Sequence, residues 1–202
     1  MAITALSILV IDENQARGSI IESGLRSAGQ SQVTTVSELQ GIARVIQRED
    51  PDVILMDLGS PNRDMLESVF QLTRSLKRPI ALFVDQSDQA SMEAAIDAGV
   101  SAYVVDGLTK ERVQSVMDLA ISRFNAFAKL ERELEVARYQ LEERKLIDRA
   151  KGILMKTKGI DEPQAYALLR RSAMNQNRKI AEIAQSLITA SSLLDIREPE
   201  LR

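Results

Sequence analysis

The sequence predicts an α/β fold: a doubly wound five-stranded parallel sheet, then a long coiled-coil helix and a small three-helix C-terminal module. Three observations predict it. Short apolar runs alternate with segments of helical spacing through the first 108 residues. No Pro or Gly interrupts the chain between Thr109 and Gly152. Charge then reverses: residues 1–108 hold 8 basic and 15 acidic side chains, whereas residues 145–181 hold 9 basic and 3 acidic, in a chain of net charge −3. That split predicts that only the C-terminal end meets a polyanion.

The strands come first. Residues 6–11, 53–56, 80–84 and 102–105 are apolar runs of the length expected for strands buried on both faces. Residues 32–36 form a weaker strand, nearer an edge. Helical spacing covers residues 15–28, 37–49, 63–76 and 89–98. Ser37, Glu38, Leu39 and Gln40 have capping-box spacing, and Gly99 suits a left-handed helix stop. In such sheets the functional crevice lies beyond the carboxyl ends of the strands. Asp12 and Glu13 follow the first strand and Asp57 follows the third, so three carboxylates are expected to converge there. Converging carboxylates repel unless a cation or proton sits among them. The chemistry expected is a Mg²⁺ pocket with Asp57 as phosphoryl acceptor; the simpler alternative is loop acids that solvate the sheet edge.

From Thr109, which suits an N-cap, apolar residues recur with a heptad period. Position a holds Val113, Ala120, Phe127, Leu134 and Leu141; position d holds Val116, Arg123, Leu130, Ala137 and Arg144. The seam is continuously apolar through Phe127, Leu130, Leu134, Ala137 and Leu141, which predicts a homodimer through this helix. Glu133 and Arg138 have g-to-e order for an interchain ion pair. The plainer alternative is a helix that packs back on its own domain.

The C-terminal module divides into three helices. The first continues to Lys158, with Gly159 as its stop. Asp161 caps the second, with Pro163 in its first turn, and Asn177 is expected to cap a third over residues 178–188. Arg149, Lys151, Lys156, Lys158, Arg170, Arg171, Arg178 and Lys179 fall outside the apolar positions. Few acids are interleaved with them, which favours phosphate contact over a merely solvated face. Residues 180–187 resemble the first helix of a helix-turn-helix, but residues 188–202 leave poor room for a recognition helix, so structured RNA is preferred to DNA.

Composition excludes several functions. The chain has no Cys and no His, which removes disulfides, thiolate catalysis and histidine-based triads. Trp is absent, so stacking on aromatic platforms is a minor contributor to any nucleic-acid binding. No nucleophile–base constellation stands out, and the chain is expected not to be an enzyme. No apolar run approaches the roughly 20 residues that span a bilayer, and the N-terminus lacks a signal-peptide pattern; a cytoplasmic protein is expected.

Two family resemblances sharpen these expectations. Residues 8–13, 54–64 and 98–105 resemble the receiver domain of bacterial response regulators, over about the first 108 residues. That resemblance implies the family's acidic pair at Asp12 and Glu13 and its phosphoacceptor at Asp57. It places the family's switch hydroxyl at Val84 and its phosphate-pairing lysine at Asp106, with Gly107 where a Pro is usual. Both substitutions remove groups that would hold a phosphoryl oxygen, so a pseudo-receiver that docks a protein partner is expected. Residues 150–155, 164–166, 168–174 and 179–184 resemble the ANTAR module of antitermination regulators. The combination is similar to nitrate/nitrite-assimilation antiterminators. It implies binding to paired stem-loops in a leader mRNA, so that a terminator does not form, and a nitrate/nitrite-sensing regulatory protein as partner. The expected organisation is a pseudo-receiver (1–108), a coiled-coil linker (109–145), an ANTAR RNA-binding domain (146–194) and a tail (195–202). A phosphorylation-controlled DNA-binding response regulator is the rival reading.

Overall fold

The computed structural model describes residues 6–38, 41–106 and 108–194. Part of the expected capping box (Leu39 and Gln40), Gly107 and the 195–202 tail lie outside the described residues. The described chain divides into two compact units, at residue 129/130.

The first unit holds a five-stranded parallel sheet of order β2-β1-β3-β4-β5, from β1 (Ser7–Asp12), β2 (Gln32–Val36), β3 (Val53–Asp57), β4 (Ile80–Val84) and β5 (Ala102–Val105). Between them run α1 (Gln15–Ser27), α2 (Ile42–Glu49), α3 (Arg63–Ser75) and α4 (Gln89–Asp97). Alternation of side chains sorts the three central strands onto two faces. Leu9, Ile11, Ile54, Met56, Leu82 and Val84 join residues of α2, α3 and α4 in one core, while Ile8, Val10, Val53, Leu55, Ala81 and Phe83 join α1 and the start of the next helix in the other. The edge strand β2 is only partly covered, which explains its weaker apolar pattern; β5, expected to be buried on both faces, is the other edge and is fully buried only at Ala102. Asn14, Asn62 and Asp88 cap α1, α3 and α4 by accepting N–H bonds from Ala16, Met65 and Ser91. Helix α2 begins at Ile42, later than expected. Gly41, at φ 78°, takes a left-handed conformation that ordinary residues avoid, so the helix starts only after it.

Helix α5 (Lys110–Lys158) runs 49 residues without a break. The heptad pattern read as one seam performs two tasks. Val113, Val116, Met117 and Ala120 are buried in the second receiver core. Gly24 of α1 makes that approach feasible, since a Cβ there would lie 2.7 Å from the Lys110 carbonyl. From Phe127 onward the apolar positions change character: Phe127 is 60% exposed, and Leu130, Leu134 and Leu141 are each more than half exposed. Val113, Val116 and Ala120 are therefore withdrawn from any dimer seam, which leaves the five residues from Phe127 to Leu141.

In the second unit, the end of α5 packs with α6 (Glu162–Gln176) and α7 (Ile180–Leu194). Ala150, Leu154, Ala165, Leu169, Ala173, Ile183, Ala184 and Ile188 form its small core. Asp161 and Gln164 make a reciprocal capping box at the start of α6. Asn177 has a different role from the one expected: at φ 49° it is the left-handed C-cap of α6, and α7 begins three residues later.

Candidate functional site

The parallel register places Asp12 opposite Asp57 at the carboxyl end of the sheet, and both are buried. Glu13 is exposed. The expected convergence of three carboxylates therefore does not form, and among the described residues no group of three or more His, Cys, Asp or Glu side chains is placed to hold a metal ion.

A cation from α1 fills the crevice instead. Arg17 Nε donates to Asp57 Oδ2 at 2.6 Å and Nη2 to Asp57 Oδ1 at 3.0 Å. Its Nη1 donates to Asp85, in the loop after β4. Asp57 Oδ1 also accepts the Gly59 N–H at 2.9 Å. These bonds, Asp57 foremost, raise the Arg17 pKa further above its ordinary value. Asp12 has no such partner. Its Oδ1 accepts the Asn14 N–H at 2.7 Å, but its buried Oδ2 has no hydrogen bond. Burial pushes the Asp12 carboxyl up to about 6; the Asn14 bond opposes that rise and the Asp57 charge adds to it. Val84 lies in the apolar core, and Asp106 is exposed in a left-handed conformation at φ 45°. Two buried carboxylates are donors that suit Mg²⁺, but Arg17 here takes both oxygens of one of them, Asp57. Arg17 and Asp85 were not foreseen from sequence; the only signal was an Arg one helical turn after Glu13.

The basic residues of the second unit separate into two groups. Lys151 departs from the expected free cationic face. Its Nζ pairs with Asp148 and Glu162 at 2.6 Å each, with a side chain only 15% exposed, and these bonds, Asp148 first, raise its pKa. Lys151 thus ties α5 to the first turn of α6. Arg178 bonds Glu182 at 3.1 Å, one turn along. Lys179 Nζ lies 3.4 Å from the Tyr139 hydroxyl and 5.4 Å from the ring centroid, a cation–π contact to α5.

Arg149, Lys156, Lys158, Arg170 and Arg171 are exposed and make no ion pair among the described residues. A shallow concavity of about 770 Å³ joins part of this set to α7. Arg170, Arg178 and Lys179 stand on its rim beside Met174, Ile147 and the single acid Glu143. Met174 is 71% exposed. A second concavity, about 750 Å³, surrounds Lys151 but also carries Glu143, Asp148 and Glu162, so it offers an anion little. The electrostatically favourable surface for phosphate is therefore the Arg170 side.

Residues 8–118 match the response regulator receiver domain family, and residues 135–188 match the ANTAR domain family. The chain belongs to the ANTAR-domain response regulators. The transcriptional regulatory protein PdtaR of Mycobacterium tuberculosis is 29% identical over 181 residues, 90% of this chain and 88% of that protein. The nitrate regulatory protein of Klebsiella oxytoca is 33% identical over 95 residues, covering 47% of this chain and 24% of that protein. Among solved structures, a pilus assembly-related protein from Burkholderia pseudomallei superposes on 59% of this chain and 91% of its own, with a TM-score of 0.51 and 19% identity. That likeness shows the receiver fold alone. No helix among the described residues is long and apolar enough to cross a membrane.

Proposed function

We propose that this ANTAR-domain response regulator is a cytoplasmic, non-enzymatic RNA-binding antitermination factor. Its C-terminal module grips paired stem-loops in a nascent leader mRNA and prevents an overlapping terminator from forming. The observation that carries this reading is the set of five exposed, unneutralised cations: Arg149, Lys156, Lys158, Arg170 and Arg171. Unpaired surface cations on rigid helices suit the sugar-phosphate backbone of a folded hairpin, whose deep groove admits no helix. The exposed stripe from Phe127 to Leu141 supports pairing of two chains along α5, so that two modules act together. The likeness to a nitrate regulatory protein supports nitrate or nitrite assimilation genes as targets, with a nitrate/nitrite-sensing protein controlling access through the receiver.

The test is a titration of the purified chain against leader RNAs with one hairpin and with two, at several salt concentrations. Tighter binding to the two-hairpin RNA, as a complex with two protein chains, is the expected result. Preference for a duplex DNA operator, or indifference to structured RNA at low salt, rejects the reading.

A further inference from the structure

We infer that Arg17 is the resident cation of the receiver pocket: it closes Asp57 to a divalent ion and to a phosphoryl group, and ties α1 to the loops after β3 and β4. A carboxylate can coordinate a metal or attack a phosphoryl donor only through an oxygen with an available lone pair. Both Asp57 oxygens are engaged by one guanidinium at 2.6 and 3.0 Å, Oδ1 takes the Gly59 N–H as well, and a divalent ion approaching the one lone pair left on Oδ2 would meet the positive charge of Arg17. Charge-assisted bidentate pairs of this kind are stronger and more directional than neutral hydrogen bonds. Asp57 is 2% exposed, so its carboxylate relies on donors within the fold.

The clasp extends beyond Asp57. Arg17 also bonds Asp85, whose N–H donates to the Gly59 carbonyl at 2.6 Å and whose Oδ2 accepts from Ser60 Oγ at 3.3 Å. Two residues further on, Ser87 Oγ lies 2.8 Å from the Tyr103 hydroxyl of β5. Arg17 thereby pins the β3–α3 and β4–α4 loops, where a phosphoryl group would otherwise draw them together. Without it, Asp12 and Asp57 would face each other buried, in register and uncompensated, an arrangement that draws in a cation. The pocket's affinity for metal is thus latent and suppressed by one side chain.

The test uses the full chain and Mn²⁺ as a paramagnetic probe, with binding read by electron paramagnetic resonance, and acetyl phosphate with Mg²⁺ as the donor, read by intact mass. The wild-type chain should bind no Mn²⁺ at the receiver pocket and gain no phosphoryl mass. Arg17→Met should bind Mn²⁺ at least roughly tenfold more tightly, because one positive charge leaves a buried site. Adding Asp57→Asn to that variant should abolish the gain. Should Arg17→Met fail to fold, Arg17→Lys keeps a charge without the fork and should show a smaller gain. Wild-type Mn²⁺ binding that Asp57→Asn removes, a phosphoryl adduct on wild-type Asp57, or a foldable Arg17 variant with no gain would each overturn the inference. RNA affinity is independent of all three outcomes.

Discussion

The receiver pocket and the C-terminal module spend their arginines in opposite ways. Arg17 enters a crevice with a buried carboxylate and forms its bonds within the fold. Arg170 and Arg171 are exposed on α6 and make no ion pair among the described residues. The difference lies in what the fold buries. A carboxylate taken out of water demands a partner, whereas an exposed guanidinium is already solvated and can wait for an external one. Lys151 shows the converse within the module: where α5 meets α6 the cation is the covered partner, and its acids Asp148 and Glu162 stay more than half exposed.

The sharpest way to break the comparison is Arg17→Ala, with stability measured by denaturant unfolding in EDTA. Leaving Asp57 buried and unpaired should cost the receiver about 2–4 kcal/mol, somewhat under the full range for a buried pair because Arg17 is a quarter exposed. A cost no greater than that of Arg171→Ala would show that the clasp is incidental. Next in size is Lys151→Ala. It should lower the thermal midpoint of the module and leave the salt slope of RNA binding unchanged; an unchanged midpoint with a shallower slope would return Lys151 to the phosphate-binding set.

A pH series sharpens the receiver side. Asp12 has a folded pKa of about 6, above the ordinary carboxylate value of 3.8, so the folded state holds the proton more tightly than the unfolded chain. Its contribution is favourable below about pH 4 and is lost as pH rises through 6. Asp12→Asn should therefore gain stability relative to wild type between pH 5 and 7, by thermal unfolding; a difference that is flat with pH contradicts the assignment. The smallest effect is expected from Tyr139→Phe, which keeps the ring beneath Lys179 and loses only the hydroxyl contact. The midpoint should fall slightly, by less than for Tyr139→Ala.

The sheet was readable from sequence because three of its strands, β1, β3 and β4, are buried on both faces, so their apolar runs are uninterrupted. The acids at the strand ends were equally readable, since Asp12 and Asp57 terminate β1 and β3. What those acids meet was not. Arg17 reaches Asp57 across 40 residues of sequence, and no periodicity says which way the first turn of α1 faces. Lys151 and Glu162 are joined across the turn between α5 and α6, whose geometry depends on Gly159 and the capping box at Asp161. Asn177 was legible as a cap, but a single Asn suits either the end of one helix or the start of the next. The heptad pattern was genuine, yet period alone could not separate the turns that pack on the receiver from those left exposed.

The most direct measurement is the salt-dependent affinity of Arg170→Ala/Arg171→Ala for a two-hairpin leader RNA, beside wild type. Loss of two charge-assisted phosphate contacts should weaken binding by roughly 10²-fold and make the log–log salt slope shallower by about 1–2. Wild-type affinity and slope in a folded double variant would contradict the assignment of this face to RNA.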